Sequence, residues 1–185
     1  AMGIEHAVWH LNEGHAAFVV LQRIREYIEQ GLSFDDALAQ VRASTVFTTH
    51  TPVPAGHDAF PYHQVEKHLA GCWGDLGQHR ARFLALGEHD SGYGSQFNMT
   101  ALAMRAAGGI NAVSELHGHV TREMWQGMWP DRPVDGVPVQ AIANGVHVPT
   151  WIAAPMRALL TEHMGADWTA RTVWPCSTKA SQAMA

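Results

Sequence analysis

Apolar and polar positions follow two rhythms along this chain. Residues 7–11 (AVWHL) read as a short strand. From Ala17 the apolar positions fall at Ala17, Leu21, Ile24 and Ile28, a helical stripe that leaves Arg23, Arg25 and Glu26 outside it. Gly31 closes that helix, and Ser33 caps the next, with Asp36 three residues on in a capping-box position. Phe34, Ala37, Leu38 and Val41 give this second helix a buried face, and residues 46–49 form the next strand. Strand–helix–helix–strand predicts a parallel sheet with helical crossovers, an α/β fold.

The rhythm weakens over residues 71–97, where glycines at 71, 74, 77, 87, 92 and 94 predict loops around a short helix over 76–86. Two helical segments follow, 98–107 and 110–129, separated by Gly108-Gly109. Residues 130–136 are a turn-rich link and 137–142 a short strand that ends in ANGVH. Pro155 sits near the start of a last helix, where a missing N–H costs little. Met156, Leu159, Leu160, His163 and Met164 line one side of it and Gly165 ends it. Residues 169–185 are small and polar without periodicity and read as a disordered tail.

Composition narrows the class. At 185 residues, 46% hydrophobic and 16% charged, the chain is globular and long enough for a sizeable core. Twelve basic residues against 17 acidic ones give a net charge of −5, which argues against nucleic acid as a partner. No apolar run has membrane-spanning length and no basic-then-apolar leader opens the chain, so a soluble, cytoplasmic protein without membrane contact is expected. Cys72 and Cys176 make neither a disulfide framework nor a thiolate metal site. The 13 histidines are the main hint of chemistry.

That chemistry gathers where strands end. VWHLNEGH (8–15), VFTTHT (46–51) and VQAIANGVH (139–147) each pass from strand residues to His, Asn, Glu or Thr beside glycine or proline. In open parallel sheets ligands bind beyond the carboxyl ends of the strands, and Pro52 and Pro54 stiffen the loop that follows His50 and Thr51. A single histidine at a strand end is more often structural than functional, but three ends share the pattern. A His-rich metal-dependent hydrolase is the competing reading. It lacks H-E-x-x-H, and His117 and His119, two apart on a helix, diverge too far to share an ion. No phosphate-cradling glycine loop occurs, and GYGS (92–95) lies in a loop.

Six blocks in this order resemble the bacterial α-glucan (glycogen/maltodextrin) phosphorylase family: HLNEGHAAF (10–18), FTTHTPVPAGHD (47–58), FNMT (97–100), VSELHG (113–118), TREMW (121–125) and ANGVHVPTW (143–151). The resemblance runs from Gly3 to Trp168 and implies an internal piece of such an enzyme. Residues 1–143 would be the later part of its N-terminal domain and 144–168 the start of its C-terminal domain. Residues 169–185 would be a non-family tail left by truncation or a frame change. The implied fold is the Rossmann-like, helix-rich part of a GT-B glycosyltransferase. The implied reaction is reversible phosphorolysis of α-1,4-glucan by inorganic phosphate to glucose 1-phosphate, with pyridoxal 5′-phosphate on a lysine.

By the same resemblance Glu13, His15, His50, Thr51 and Asn144 would surround the glucosyl unit, and Gly145 and Trp151 would lie near the cofactor. Lys67 falls on a helix and Lys179 in the CSTKAS stretch follows Asn144 too soon, so neither matches the cofactor lysine. His119 stands where the family carries an acid, and Gly108-Gly109 where bulkier residues bridge a helix pair. The chain alone is therefore expected to be inactive, or a non-catalytic glucan-binding piece. Homo-oligomerisation is left open.

Overall fold

In the computed structural model, residues 6–72, 74–90, 92 and 94–170 are described. The chain divides into two compact units, Ala1–Asn144 and Gly145–Ala185.

The first unit is built on strand β1 (Trp9–Asn12), helices α1 (Val19–Glu29) and α2 (Phe34–Ala43), and strand β2 (Thr45–Thr49). Later come α5 (Met99–Ala106), β6 (Gly109–Ala112), α6 (Glu115–Trp125) and β7 (Gln140–Ala141). Between β2 and α5 lie β3 (Ala59–Phe60), α3 (Tyr62–Leu69), α4 (Arg80–Leu86), β4 (Glu88–Asp90) and β5 (Ser95–Asn98). Strands β1, β2, β6 and β7 pair in that order, all parallel. The parallel α/β sheet expected from the sequence is present.

Register sorts the side chains of this sheet. Leu11 pairs with Phe47 and Phe47 with Ile110, and all three join the buried cluster that includes Val20, Ile24, Phe34, Val41 and Leu102 from the helices. On the other face Asn12, Thr48, Asn111 and Gln140 follow one another across the strands. There Thr48 Oγ1 donates to Asn111 Oδ1 (2.7 Å), and His10 Nε2 lies 2.6 Å from the same hydroxyl. With that proton already committed, His10 is the donor. One face is apolar and packed by helices, and on the other His10, Thr48 and Asn111 form a hydrogen-bonded group.

Helix boundaries follow local chemistry. Ser33 Oγ accepts from Asp36 N (3.2 Å) and donates to Asp36 Oδ2 (2.6 Å), so the expected cap is present. Phe34, Ala37, Leu38 and Val41 are buried as their spacing predicts. Gly31 leaves α1 at φ +95°. Asn98 Oδ1 accepts from Thr100 N (2.9 Å) and Ala101 N (3.0 Å) and opens α5.

Four expectations are corrected. Arg23 is not outside the core: it is 5% exposed, donating to Thr45 Oγ1 and Ser44 Oγ (both 2.6 Å) with its guanidinium 5.0 Å over the Trp9 ring. Its long stem crosses apolar packing, and its head finds acceptors at the start of β2. Residues 110–129 are not one helix: Gly109–Ala112 is the central strand β6, and α6 starts only after Ser114, whose hydroxyl accepts from His117 N (3.1 Å). Gly108-Gly109 thus leads into a strand rather than splitting a helix pair, and a Cβ on Gly108 would lie 2.5 Å from Arg42 O.

The region 71–97 holds more than loops and a helix. Strands β3, β5 and β4 form an antiparallel sheet around Phe97, which is fully buried beside Phe18 and Phe83. Between β4 and β5, Gly92 and Gly94 both have positive φ, and their N–H groups donate to Asp90 Oδ1 (2.7 and 3.1 Å). Finally, only Gln140–Ala141 of the strand expected over 137–142 pairs with β6.

The second unit contains α7 (Val148–Trp151) and α8 (Ala154–Met164). Pro155 sits in the first turn of α8, and Gly165 ends it at φ +88°. None of the residues of α8 is buried, and Met156 and Leu159 are exposed. The Trp168 indole donates to Thr161 Oγ1 (3.1 Å). The tail beyond 170, with Cys176 and Lys179, lies outside the described residues. Among the described residues no helix is long and apolar enough to cross a membrane.

Candidate functional site

Parallel pairing brings the carboxyl ends of β1, β2, β6 and β7 to one edge of the sheet. There β1 runs into Glu13, whose N–H continues the ladder to Thr48 O (3.0 Å). Its backbone then turns to φ 67°, ψ 169°, and Glu13 is the one positive-φ residue other than glycine among those described.

The reversal carries the Glu13 carboxylate across to the turn after β2. Oε1 accepts from the His50 backbone N–H and from the Thr51 hydroxyl (3.2 Å), and the His50 ring Nδ1 lies 3.3 Å away. It also drops Gly14 onto the first turn of α5. A Cβ on Gly14 would stand 2.8 Å from Thr100 Oγ1, 3.0 Å from Thr100 N and 3.1 Å from Met99 C, so only glycine fits. Gly56 closes on Thr51 in the same way, its Cβ position overlapping the threonine methyl.

These approaches enclose a polar cavity of about 200 Å³, lined by Glu13, His15, Thr51, His57, Asp58 and Thr100, with Gly14 and Gly56 in its wall. The His57 Nδ1 lies 2.9 Å from Thr100 Oγ1, and its ring meets Trp125 edge-on at 5.1 Å. Burial pushes the His57 imidazole below its ordinary range, against the opposing pull of the Glu13 carboxylate. His89, whose ring centre lies 4.7 Å from that of Trp125, is lowered by burial and then by the Arg105 guanidinium. Both rings are therefore neutral at neutral pH. Such a cavity, rich in hydroxyl, carboxylate and imidazole groups held in place by backbone, suits a neutral polyhydroxyl ligand.

Of the residues singled out in the sequence, Glu13, His15 and Thr51 line one cavity, and His50 meets the Glu13 carboxylate at its rim. Asn144 lies on the same sheet edge beyond β7, where its N–H reaches Val113 O (3.4 Å), but the cavity does not include it. Gly145 and Trp151 belong to the second unit, where Trp151 is 78% exposed. His57, Asp58, Thr100 and Gly14 also build the cavity. Each stands inside or beside a recognisable block, but only contacts made across 40 or more residues, such as His57 with Thr100, reveal them.

Among the described residues no three His, Cys, Asp or Glu side chains are grouped to hold a metal. A pyridoxal phosphate Schiff base needs an enclosed lysine. Lys67, the one described lysine, is exposed on α3 and lines none of the polar cavity, so these residues do not fit that cofactor.

No family model matches the chain. Individual proteins do. A maltodextrin phosphorylase of Thermococcus litoralis is 50% identical over 167 residues, covering 90% of this chain. A glycogen phosphorylase of Mycobacterium tuberculosis is 45% identical over 86% of it, and that of Aquifex aeolicus 32% over 90%. The chain spans only about a fifth of the length of these curated relatives: 19%, 19% and 24%. The chain thus belongs to the glycogen and maltodextrin phosphorylase family, as the counterpart of an internal segment of its members.

Proposed function

We propose that this chain forms the N-terminal-domain wall of the glucosyl site in an α-1,4-glucan phosphorylase. In that reading the complete enzyme has a GT-B fold, is cytoplasmic, and uses inorganic phosphate to release glucose 1-phosphate reversibly from glycogen or maltodextrin. The observation that carries it is the polar cavity at the carboxyl edge of the parallel sheet, closed by the Glu13 carboxylate on the His50–Thr51 turn. The 45–50% identity to phosphorylases over nearly all of the chain supplies the reaction class.

The chain's own residues bind and orient. The Thr51 hydroxyl gives its proton to Glu13 and keeps lone pairs for a sugar O–H, and Thr100, His15 and Asp58 offer further partners around the cavity. Asn144 would hydrogen-bond a sugar hydroxyl from its own place on the same edge. Gly145 and Trp151 would belong to the surroundings of the cofactor. Pyridoxal phosphate would supply the acid–base phosphate of the reaction, and its lysine would come from a part of the enzyme other than these residues. Positioning of phosphate, cofactor and sugar together supplies much of such catalysis, so the 185-residue chain alone is catalytically silent.

Two measurements test the reading. Calorimetric titration of the chain with maltopentaose should give saturable heat at millimolar concentrations, and its absence would remove the glucan site. Incubation with maltodextrin, phosphate and pyridoxal phosphate should give no glucose 1-phosphate above a protein-free blank.

A further inference from the structure

Glu13 is where three elements meet: it directly follows β1, its carboxylate holds the turn after β2, and the chain it reverses seats Gly14 on the start of α5. Its Oε1 already takes the His50 N–H and the Thr51 O–H, with the His50 ring beside it, which uses up the acceptor capacity of that oxygen. Its φ and ψ fall in a region that glycine occupies freely and other residues do not. A glycine here would remove the backbone strain and lose the carboxylate. The strained conformation is therefore upheld by the bonds the carboxylate makes, and those bonds order the next strand's turn.

We propose that Glu13 is a positioning residue that acts on the glucan through His50 and Thr51, whose turn it locks before the sugar arrives. This rests on the glucan reading above. A turn held in its bound shape spares the ligand the ordering that a loose loop would require, so the effect falls on affinity. Glutamine, whose side-chain oxygen can accept from the same two donors, preserves the lock. Alanine and glycine do not.

The test uses the 185-residue chain and its Glu13→Gln, Glu13→Ala and Glu13→Gly variants. Three quantities are read: thermal midpoint, maltopentaose affinity by calorimetry, and the His50 backbone amide resonance by NMR. The wild-type His50 amide proton should be shifted downfield by its carboxylate acceptor. Glu13→Ala should move it upfield, broaden it, and weaken maltopentaose binding about tenfold or more. Glu13→Gln should stay within about threefold of wild type. Glu13→Gly is the decisive variant: its midpoint should equal or exceed that of the wild type while its binding falls as far as that of Glu13→Ala.

Binding by Glu13→Gly equal to wild type would overturn the proposal, as would a Glu13→Gln loss as large as that of Glu13→Ala, which would assign the carboxylate to the sugar. If no variant and no wild-type chain binds maltopentaose, the glucan reading fails, and the His50 resonance still decides whether Glu13 locks the turn.

Discussion

A glutamate at φ 67° and ψ 169° holds a conformation that costs on the order of 1–3 kcal/mol. The next residue shows why the path is needed. Gly14 passes 3.0–3.1 Å, measured from an added Cβ, from backbone atoms of Thr100 and Met99, and neither can yield without moving α5. Gly14→Ala should therefore destabilise the chain by about 1–3 kcal/mol, read from urea unfolding midpoints. His57 gives a second prediction at this scale. Its folded pKa lies below the ordinary 6.5, so below that value the unfolded chain takes up a proton that the folded chain refuses. Stability should be full above about pH 6.5 and fall as acid is added, with His89 acting in the same sense. His57→Gln, which can keep a bond to Thr100, should flatten the fall in thermal midpoint between pH 7.5 and 5.5. An unchanged slope would show that His57 does not set it.

At the scale of elements, caps separate what was legible from what was not. Ser33 announces α2 because its partner lies three residues away, and Asn98 opens α5 by the same local rule. The two caps differ in surroundings: Ser33 is exposed, whereas Asn98 is 2% exposed with both N–H partners buried. Asn98→Ala should cost about 2 kcal/mol, since it strands buried donors, and Ser33→Ala about 1 kcal/mol or less. Chemical denaturation of both variants checks the order.

β6 escaped the sequence reading because four residues, GINA, are too few to show a period of two, and the apolar positions after them continue a helical count. Ser114 with Glu115 behind it was the available signal for a break there. The antiparallel sheet escaped because its strands are two to four residues long and mostly polar, with Phe97 their one buried apolar residue. At the cavity, Glu13, His15, His50 and Thr51 were legible as strand-end residues. The roles of Gly14, His57 and Thr100 were not, because they depend on where α5 comes to rest.

For the whole molecule, the two units predict how it yields to a protease. Gly145, Val146 and His147 are exposed and precede α7 outside any helix or strand. The first unit carries the buried cluster from Leu11 to Val139. Limited digestion should cut first between residues 145 and 153 and leave an N-terminal product that ends within that stretch. Early cuts inside 9–112 would contradict that division.

The strand order β1-β2-β6-β7 has a consequence for biosynthesis. Among the described strands each parallel one takes its place beside the one translated before it, so these four add in one direction. Among the described strands none has to be threaded between two that are already paired. Strands β1 and β2, with Leu11 and Phe47 under α1 and α2, are made before β6 and β7 and give them an edge to join.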